Sequence, residues 1–475
     1  MLFTLTYVNM VLESQYKTFL QERKLDHHGY QWEGLQWCLS QEAETKYRGG
    51  IVADEMGLGK TLLMISLIAF NLTRRTLIIV PPILLNQWEA QLKYHTGHQP
   101  LIYHGSNKNK HKITLEQLQQ APLVLASYHA IAVHESNPKL SILHQVKWNR
   151  VIYDECHHLR NATTSLFLGA FIVKSKVKWF LSGTPIQNRL KDITNILLLL
   201  GYTNKMEPDT LKELIKQKML KRTKRSVGLV MPEMKEETIM IPWSDDKDTQ
   251  VSEDIHSAVS FSGVSSDKQK DFGRSLAQTQ VIVAMMRAKQ VCVYPKLIYE
   301  YLEEHRGDTT CSQYSGDTKL SWLVDKLMER RGNGNGKLVF CQFRKEIDYL
   351  KEKLVGLGMS VGVIDGRTKD KIDTPFEVLI LQIQSCCEGL NLQDNYSEMY
   401  FSSNQWNPCI EEQAIGRCYR LGQKKEVSVF RYQMSRLPKE QDAEEAPITM
   451  ENYIAMVQDR KRALADEFVA SNVVV

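Results

Sequence analysis

Short, continuous apolar runs alternate with longer polar segments along most of the chain. Thr76 to Val80 (TLIIV), Leu101 to His104, Leu123 to Ser127 (LVLAS), Val151 to Tyr153 and Trp179 to Leu181 form one series. Lys337 to Cys341, Val361 to Asp365, Val378 to Ile383, Met399 to Ser402 and Val427 to Tyr432 form a second. Runs of three to six mostly apolar residues without regular polar alternation predict strands buried on both faces, and the spacers are long enough to be helices. The pattern therefore predicts an α/β fold of two lobes with parallel sheets, joined by a helical protrusion region. The expected divisions are a lead-in over 1–24, a first lobe over 25–204, helical protrusions and linker over 205–318, a second lobe over 319–436 and a tail over 437–475. The run Arg331-Gly332-Asn333-Gly334-Asn335-Gly336 reads as a flexible link ahead of the second series.

Ligands of open parallel sheets sit beyond the carboxyl ends of the strands. Three polar clusters stand at such ends: GGIVADEMGLGKT (Gly49 to Thr61), Asp154-Glu155-Cys156-His157, and Ser182-Gly183-Thr184. The first runs from a short apolar stretch through Gly57 and Gly59 into Lys60-Thr61 and an apolar helix. That is the context of a phosphate-binding loop, with Lys60 for the β/γ-phosphates and Thr61 for Mg²⁺. Asp54 stands where the first glycine of the usual pattern belongs, so a plain Gly-rich turn is the competing reading.

Asp154-Glu155 lies 94 residues after Lys60. Nucleotide hydrolysis needs one carboxylate in the Mg²⁺ shell and another to orient water, and adjacent acids at a strand end supply both. A metal site at Cys156-His157-His158 is disfavoured, because neighbouring side chains rarely point to one centre. Gln413 to Gln423 reads QAIGRCYRLGQ. Arg417 and Arg420 are three apart and on a helix would share a face able to hold a γ-phosphate, or would simply be a solvated basic face.

Composition narrows little. The 475 residues are 43% hydrophobic and 24% charged, with a net charge of +5, an ordinary globular balance that shows no basic groove by itself. Nine scattered cysteines without C-x-x-C favour a reducing compartment over a disulfide framework. MLFTLTYVNMVLESQ lacks a basic leader and a cleavage site, and no apolar run is long enough for a membrane span. A soluble, intracellular chain is expected.

Taken in order, YQ, DEMGLGKT, Pro81 to Trp88, LASY, DECH, SGTPIQN, KRTK, KQVCVYP, IDGRT, GLNL, WNP and QAIGRCYRLGQ resemble the Swi/Snf-type remodelling ATPases of helicase superfamily 2. The resemblance covers roughly residues 25–435, and the compact size is similar to that of the baculoviral global-transactivator-like proteins. It implies two RecA-like lobes, ATP and Mg²⁺ as cofactors, and hydrolysis driven by double-stranded DNA without routine strand separation. Nucleosomes, transcription proteins and a nuclear location follow as expectations.

Carried over by residue, the resemblance implies that Gln31 contacts adenine and that Asp54, Glu55, Met56, Gly57, Leu58, Gly59, Lys60 and Thr61 form the nucleotide loop. Asp154 with Thr61 would hold Mg²⁺, and Glu155 would activate water. Gln413, Arg417 and Arg420 would close the site from the second lobe. Ser182, Gly183 and Thr184 would couple nucleotide to DNA. Ser127, Tyr128, Gly389 and Asn391 would lie at the nucleic acid. Asp54 is normal for the family. The departures are Cys386-Cys387 for a Gly-Gly pair, Tyr419 for a His, and Cys156 in the acidic box. These bear on DNA coupling more than on hydrolysis. Competing readings are a strand-separating DNA or RNA helicase, and a non-enzymatic DNA-binding transcription factor on a motor fold. Lys221-Arg222-x-Lys224-Arg225 matches a nuclear import signal as well as a family motif.

Overall fold

The computed structural model describes residues 2–73, 75–105, 113–136, 138, 140–184, 190–203, 206–257, 277–306, 314–367, 375–386, 390–438 and 446–472. The chain divides into two compact units, one of residues 1–230 with 465–475 and one of residues 231–464.

In the first unit the strands are β1 (Arg48–Val52), β2 (Thr76–Val80), β3 (Leu101–Tyr103), β4 (Leu123–Ser127), β5 (Trp148–Tyr153), β6 (Ser175–Leu181) and β7 (Met219–Leu220). They form one sheet in the order β3-β4-β2-β5-β6-β1-β7, and every described pairing is parallel. The apolar runs are continuous because both faces are covered. Leu77, Ile79, Val151 and Tyr153 join one core layer, whereas Ile78, Val80 and Ile152 join the other. Each buried aliphatic side chain contributes about 1.5–3 kcal/mol. The N-terminal helix Leu2–Glu22 adds Tyr16, Phe19 and Leu20 to the second layer, so the expected lead-in packs as part of the unit.

The second unit contains β8 (Met234–Ile241), β9 (Gly336–Cys341), β10 (Val361–Ile364), β11 (Val378–Gln382), β12 (Tyr396–Phe401) and β13 (Val427–Met434). Their order is β10-β11-β9-β12-β13-β8, again parallel throughout. Val339 and Cys341 face one core layer, Leu338 and Phe340 the other.

Two expectations change here. The stretch 205–318 is not wholly helical: β7 completes the first sheet and β8 the second. Both are edge strands. β7 has two residues inside a basic run, and β8 (MKEETIMI) is mostly exposed and charged, so neither shows the apolar run of a central strand. The Gly/Asn-rich link is also pinned. Asn333 donates to the buried Glu398 carboxylate at 2.7 Å, and the Lys337 ammonium donates to the Asn335 carbonyl at 2.9 Å.

Candidate functional site: a phosphate loop and acid pair

Strands β1, β6 and β5 are neighbours in the first sheet. Their carboxyl ends run into Ala53–Lys60, Ser182–Thr184 and Asp154–Glu155, so the sheet itself brings the three clusters together. Adjacent strands lie about 4.8 Å apart.

The loop after β1 turns through Gly57 and Gly59 with φ of 90° and 83°, where a Cβ would be strained. Helix Lys60–Phe70 starts immediately afterwards. The Lys60 ammonium donates to the Asp54 carbonyl at 2.7 Å. A Cβ on Gly183 would come within 2.9 Å of the Met56 side chain and 3.6 Å of the Lys60 nitrogen, so the β6 end approaches the loop closely. Ser182 is buried, and its N–H donates to the Val52 carbonyl at 3.1 Å. Pro185 to Arg189 lie outside the described residues.

The Asp54 and Glu55 side chains are held by cations from far along the chain. Asp54 is 1% exposed and accepts from Arg222 Nε at 3.0 Å, while Glu55 pairs with Lys224 at 3.0 Å. Arg222 also donates to the Tyr30 carbonyl and lies against Gly34, where a Cβ would come within 2.8 Å of its guanidinium. Two basic residues of the KRTKR run are thus structural parts of this unit. These carboxylates fix the loop; the Lys60 ammonium and the Thr61 hydroxyl are the side-chain groups here whose chemistry suits a phosphate and its metal ion. Gln31 sits beside the loop: it is buried, a Cβ on Gly59 would meet its amide nitrogen at 2.8 Å, and its side-chain oxygen has no hydrogen-bond partner among the described residues. A buried, unpartnered amide acceptor at a loop of this kind fits an external donor such as an adenine amino group.

At the end of β5, Asp154 and Glu155 are both buried. Asp154 accepts from the Trp88 indole at 2.7 Å and from the Glu155 N–H at 2.9 Å. Burial first, then the neighbouring Glu155 charge, raises the Asp154 pKa, and the Lys60 charge opposes this. A dication would favour the ionised pair. Glu155 has φ of 51°, a strained conformation for a residue with a Cβ, and its carboxylate lies 3.3 Å from His157 Nδ1. Cys156 is buried among apolar residues, and burial raises its thiol pKa well above the usual value. Among the described residues no group of three or more His, Cys, Asp or Glu forms a metal cage. Thr61 and Asp154 are hard oxygen donors and suit a magnesium ion that takes its remaining ligands from phosphate and water.

Ser127 and Tyr128, expected at nucleic acid, are buried inside this unit. The Ser127 hydroxyl lies 2.8 Å from His104 Nδ1, and the Tyr128 hydroxyl donates to the Asp154 carbonyl at 2.7 Å. The Tyr128 side chain thus supports the acid pair, and both side chains are buried.

In the second unit, Gln413 is buried on helix Pro408–Ile415. Arg417 and Arg420 are not on that helix. It ends at Gly416, and the following residues form turns around Gly422, whose φ is 97°. The two arginines are positioned instead by stitching. The Leu392 N–H donates to the Arg417 carbonyl at 3.1 Å, and the buried Gln423 amide donates to the Tyr396 and Cys418 carbonyls at 3.1 and 3.2 Å. Arg420 donates to the Asn391 side chain, joining two residues that had been given separate roles. Burial, then repulsion from Arg417, lowers the Arg420 pKa, so this pair of cations favours an anion. Tyr419, the departure from the family's His, donates its hydroxyl to the Pro232 carbonyl at 3.1 Å. Gly389 and Cys387 lie outside the described residues.

Trp88, Arg222 and Lys224 were not legible as site residues. An acid in place of the loop glycine signals that a cation is needed, and the R-x-K spacing puts two basic side chains on one side of an extended segment.

Residues 30–205 match the SNF2-related domain, and residues 318–422 match the helicase conserved C-terminal domain. The chain belongs to the SNF2-related family of helicase-like proteins. It is 26% identical over 443 residues to a probable global transactivator of Orgyia pseudotsugata multicapsid polyhedrosis virus, covering 85% of each chain. It is 26% identical over 473 residues to the ISWI chromatin-remodeling complex ATPase ISW2 of Saccharomyces cerevisiae, covering 90% of this chain and 40% of that protein. It also shares 26% identity with chromodomain-helicase-DNA-binding protein 7 of Gallus gallus, of which it spans 15%. A solved Sulfolobus solfataricus SWI2/SNF2 ATPase core in complex with dsDNA is 22% identical and covers 94% of this chain, with a TM-score of 0.41. No helix among the described residues is long and apolar enough to cross a membrane.

Proposed function

We propose that the protein is an ATP-dependent double-stranded-DNA translocase of the remodelling type, acting in transcription regulation in a nucleus. The observation that carries this reading is the meeting of Lys60, Asp154–Glu155 and Ser182–Thr184 at three adjacent strand ends, with the Lys60 charge acting on Asp154.

In this reading Gln31 recognises adenine, and Lys60 and the loop N–H groups hold the phosphates. Thr61 and Asp154 hold Mg²⁺, which supplies charge neutralisation at the phosphates when bound. Glu155 orients the attacking water from its strained backbone position. Trp88 and the Glu155 N–H keep the Asp154 carboxylate directed. Arg417 and Arg420 supply positive charge to the leaving phosphate from the second unit, as arginine fingers do. Duplex DNA is the proposed partner, with nucleosomes and transcription proteins as further candidates. The relatives named as a chromatin-remodeling ATPase and a transactivator support this direction. Contacts to DNA of this class are to phosphates and are salt-sensitive.

The test is phosphate release with free duplex DNA, nucleosomes and RNA in parallel at low salt. Stimulation by duplex DNA that disappears in Lys60→Ala is expected. Stimulation by RNA alone, or displacement of a strand from a duplex, would replace this reading with that of an unwinding helicase.

A further inference from the structure

We propose that Tyr128 is a positioning residue for hydrolysis, holding the Glu155 backbone in the turn that sets the direction of its carboxylate. The role rests on the reading of Glu155 as the acid that orients water, and it lies wholly within the first unit.

Glu155 breaks the course of β5. Up to Asp154 the chain still follows the sheet, and the Asp154 N–H donates to the Ile79 carbonyl on β2 at 2.9 Å. At Glu155 φ becomes 51°, and the short turn Cys156–Leu159 begins. A left-handed backbone at a residue with a Cβ persists only where its surroundings hold it. The backbone in turn limits the rotamers open to the side chain, so the turn aims the carboxylate.

The peptide that joins Asp154 to Glu155 is held on both sides. Its N–H donates to the Asp154 carboxylate at 2.9 Å, and its carbonyl accepts from the Tyr128 hydroxyl at 2.7 Å. The Glu155 carbonyl accepts from the His158 N–H at 3.2 Å. The bonds to Asp154 and His158 join near neighbours and would travel with the turn if it relaxed. Tyr128 comes from 26 residues earlier, just past β4, and its bond ties the turn to the rest of the sheet. Strand β2 lies between β4 and β5, so the donor must reach across a strand end. A tyrosine carries its hydroxyl far enough to do so, which the shorter Ser127 beside it does not.

Tyr128 is itself well fixed. It is buried and packs in the same core layer as Cys156 and Leu159. Burial raises its pKa well above the usual value, so the hydroxyl stays a donor. Its ring lies 5.2 Å from that of His158, which lies 4.6 Å from that of His157. His157 Nδ1 is 3.3 Å from the Glu155 carboxylate. The same tyrosine thus backs the rings beside the carboxylate as well as the peptide that precedes it. Its hydroxyl is engaged by the Asp154 carbonyl, so it acts through Glu155 rather than on water.

A positioning bond and a merely structural one give different results on removal. Tyr153→Phe is the matched control. Tyr153 is fully buried, precedes Asp154 on β5, and donates its hydroxyl to the Ala170 carbonyl at 3.3 Å. Tyr128→Phe and Tyr153→Phe each remove one hydroxyl and keep the ring. Both are made in the wild-type chain and in Glu155→Gln. The measurements are the urea midpoint, MgADP affinity, and single-turnover ATP hydrolysis with saturating duplex DNA.

In the wild-type background we expect Tyr128→Phe to lower the hydrolysis rate ~10-fold or more, with MgADP affinity within about twofold. Tyr153→Phe should lower the rate less than ~2-fold, and in Glu155→Gln so should Tyr128→Phe, because residues that act through one another are not additive. A loss from Tyr128→Phe that is the same in both backgrounds, or no larger than that from Tyr153→Phe, makes the bond structural and overturns the proposal. A Tyr128→Phe chain that does not fold overturns it as well. A Glu155→Gln chain that hydrolyses ATP as fast as wild type overturns the reading of Glu155 itself.

Discussion

In the proposed reading the two units place charge for a phosphate by different means. In the first, the sheet does the placing: β1, β6 and β5 end side by side, Ser182 and Asp154 each follow directly on a strand fixed by two-sided burial, and Lys60 opens the helix after the loop that leaves β1. In the second, no strand or helix carries the charge. Arg417 and Arg420 stand on turns past the end of helix Pro408–Ile415, held by Gln423 and by the Leu392 N–H. A site on strand ends is preorganised by the fold, whereas a site on turns depends on a few hydrogen bonds and can shift with them. The proposed function assigns binding to the first arrangement and gating of the chemistry to the second.

The sharpest way to break that division is Arg420→Ala. It should lower hydrolysis by ~10³-fold, as loss of an arginine finger does, while MgADP affinity stays near wild type. Equilibrium binding beside single-turnover rates separates the two effects, and a parallel loss of affinity would erase the distinction drawn between the units. Next in size is Lys60→Ala, expected to lose ~10²-fold or more in rate and to weaken binding as well. A Lys60→Ala chain that binds nucleotide as tightly as wild type would move the binding function away from the loop.

Stability changes should be confined to the unit that is altered. Arg222→Ala leaves the Asp54 carboxylate buried without its cation, which costs about 3–5 kcal/mol. Trp88→Phe removes a bond to a charged group, about 1.5–3 kcal/mol, and the smaller ring adds a packing cost at this buried site. Amide exchange in β1 and β5 should accelerate in both variants while β9 and β12 keep their protection. Equal loosening of all four strands would show that the units do not unfold separately.

The same contrast explains what the sequence made legible. Strand-end chemistry could be read locally: an uninterrupted apolar run fixes the strand, and the polar residue after it must emerge at the carboxyl edge. Asp154, Ser182 and the loop before Lys60 were found in this way. Partners that arrive from a distance could not be. Trp88 meets Asp154 across 66 residues and Arg222 meets Asp54 across 168, and no local pattern carries such a pairing. Ser127 and Tyr128 follow a strand as the others do, yet their hydroxyls turn inward to His104 and to the Asp154 carbonyl. In the second unit the R-x-x-R spacing suggested a helix face. The helix had already ended, and a buried glutamine with backbone bonds took over the positioning. The Gly/Asn-rich link misled in a similar way, since glycine content signals turns but does not reveal that Glu398 gathers those turns onto β12.

That buried glutamate gives the smallest and most specific test. Glu398 accepts from Arg330 at 2.6 Å and from Asn333 and Tyr400 at 2.7 Å. Burial alone would raise its pKa, but the Arg330 bond, followed by those of Tyr400 and Asn333, more than offsets this and holds it below the usual 4.5. The folded second unit therefore binds this proton less readily than the unfolded chain does. Its stabilisation is complete above pH 4.5 and is lost as pH falls through the lower folded value. Asp154 in the first unit has the opposite sign: its pKa is raised by burial and by Glu155, so acid relieves a cost there instead of adding one. Lowering the pH below 4.5 should then loosen β9 and β12 before β1 and β5, by about 1.4 kcal/mol for each unit of pKa shift once the folded value is passed. Glu398→Gln, which cannot ionise, should be less stable at neutral pH and should flatten the acid response of the second unit alone. If wild type and Glu398→Gln lose protection in β12 along the same pH curve, the Arg330 cluster is not what makes this unit sensitive to acid, and the turns before β9 must be held by something other than charge.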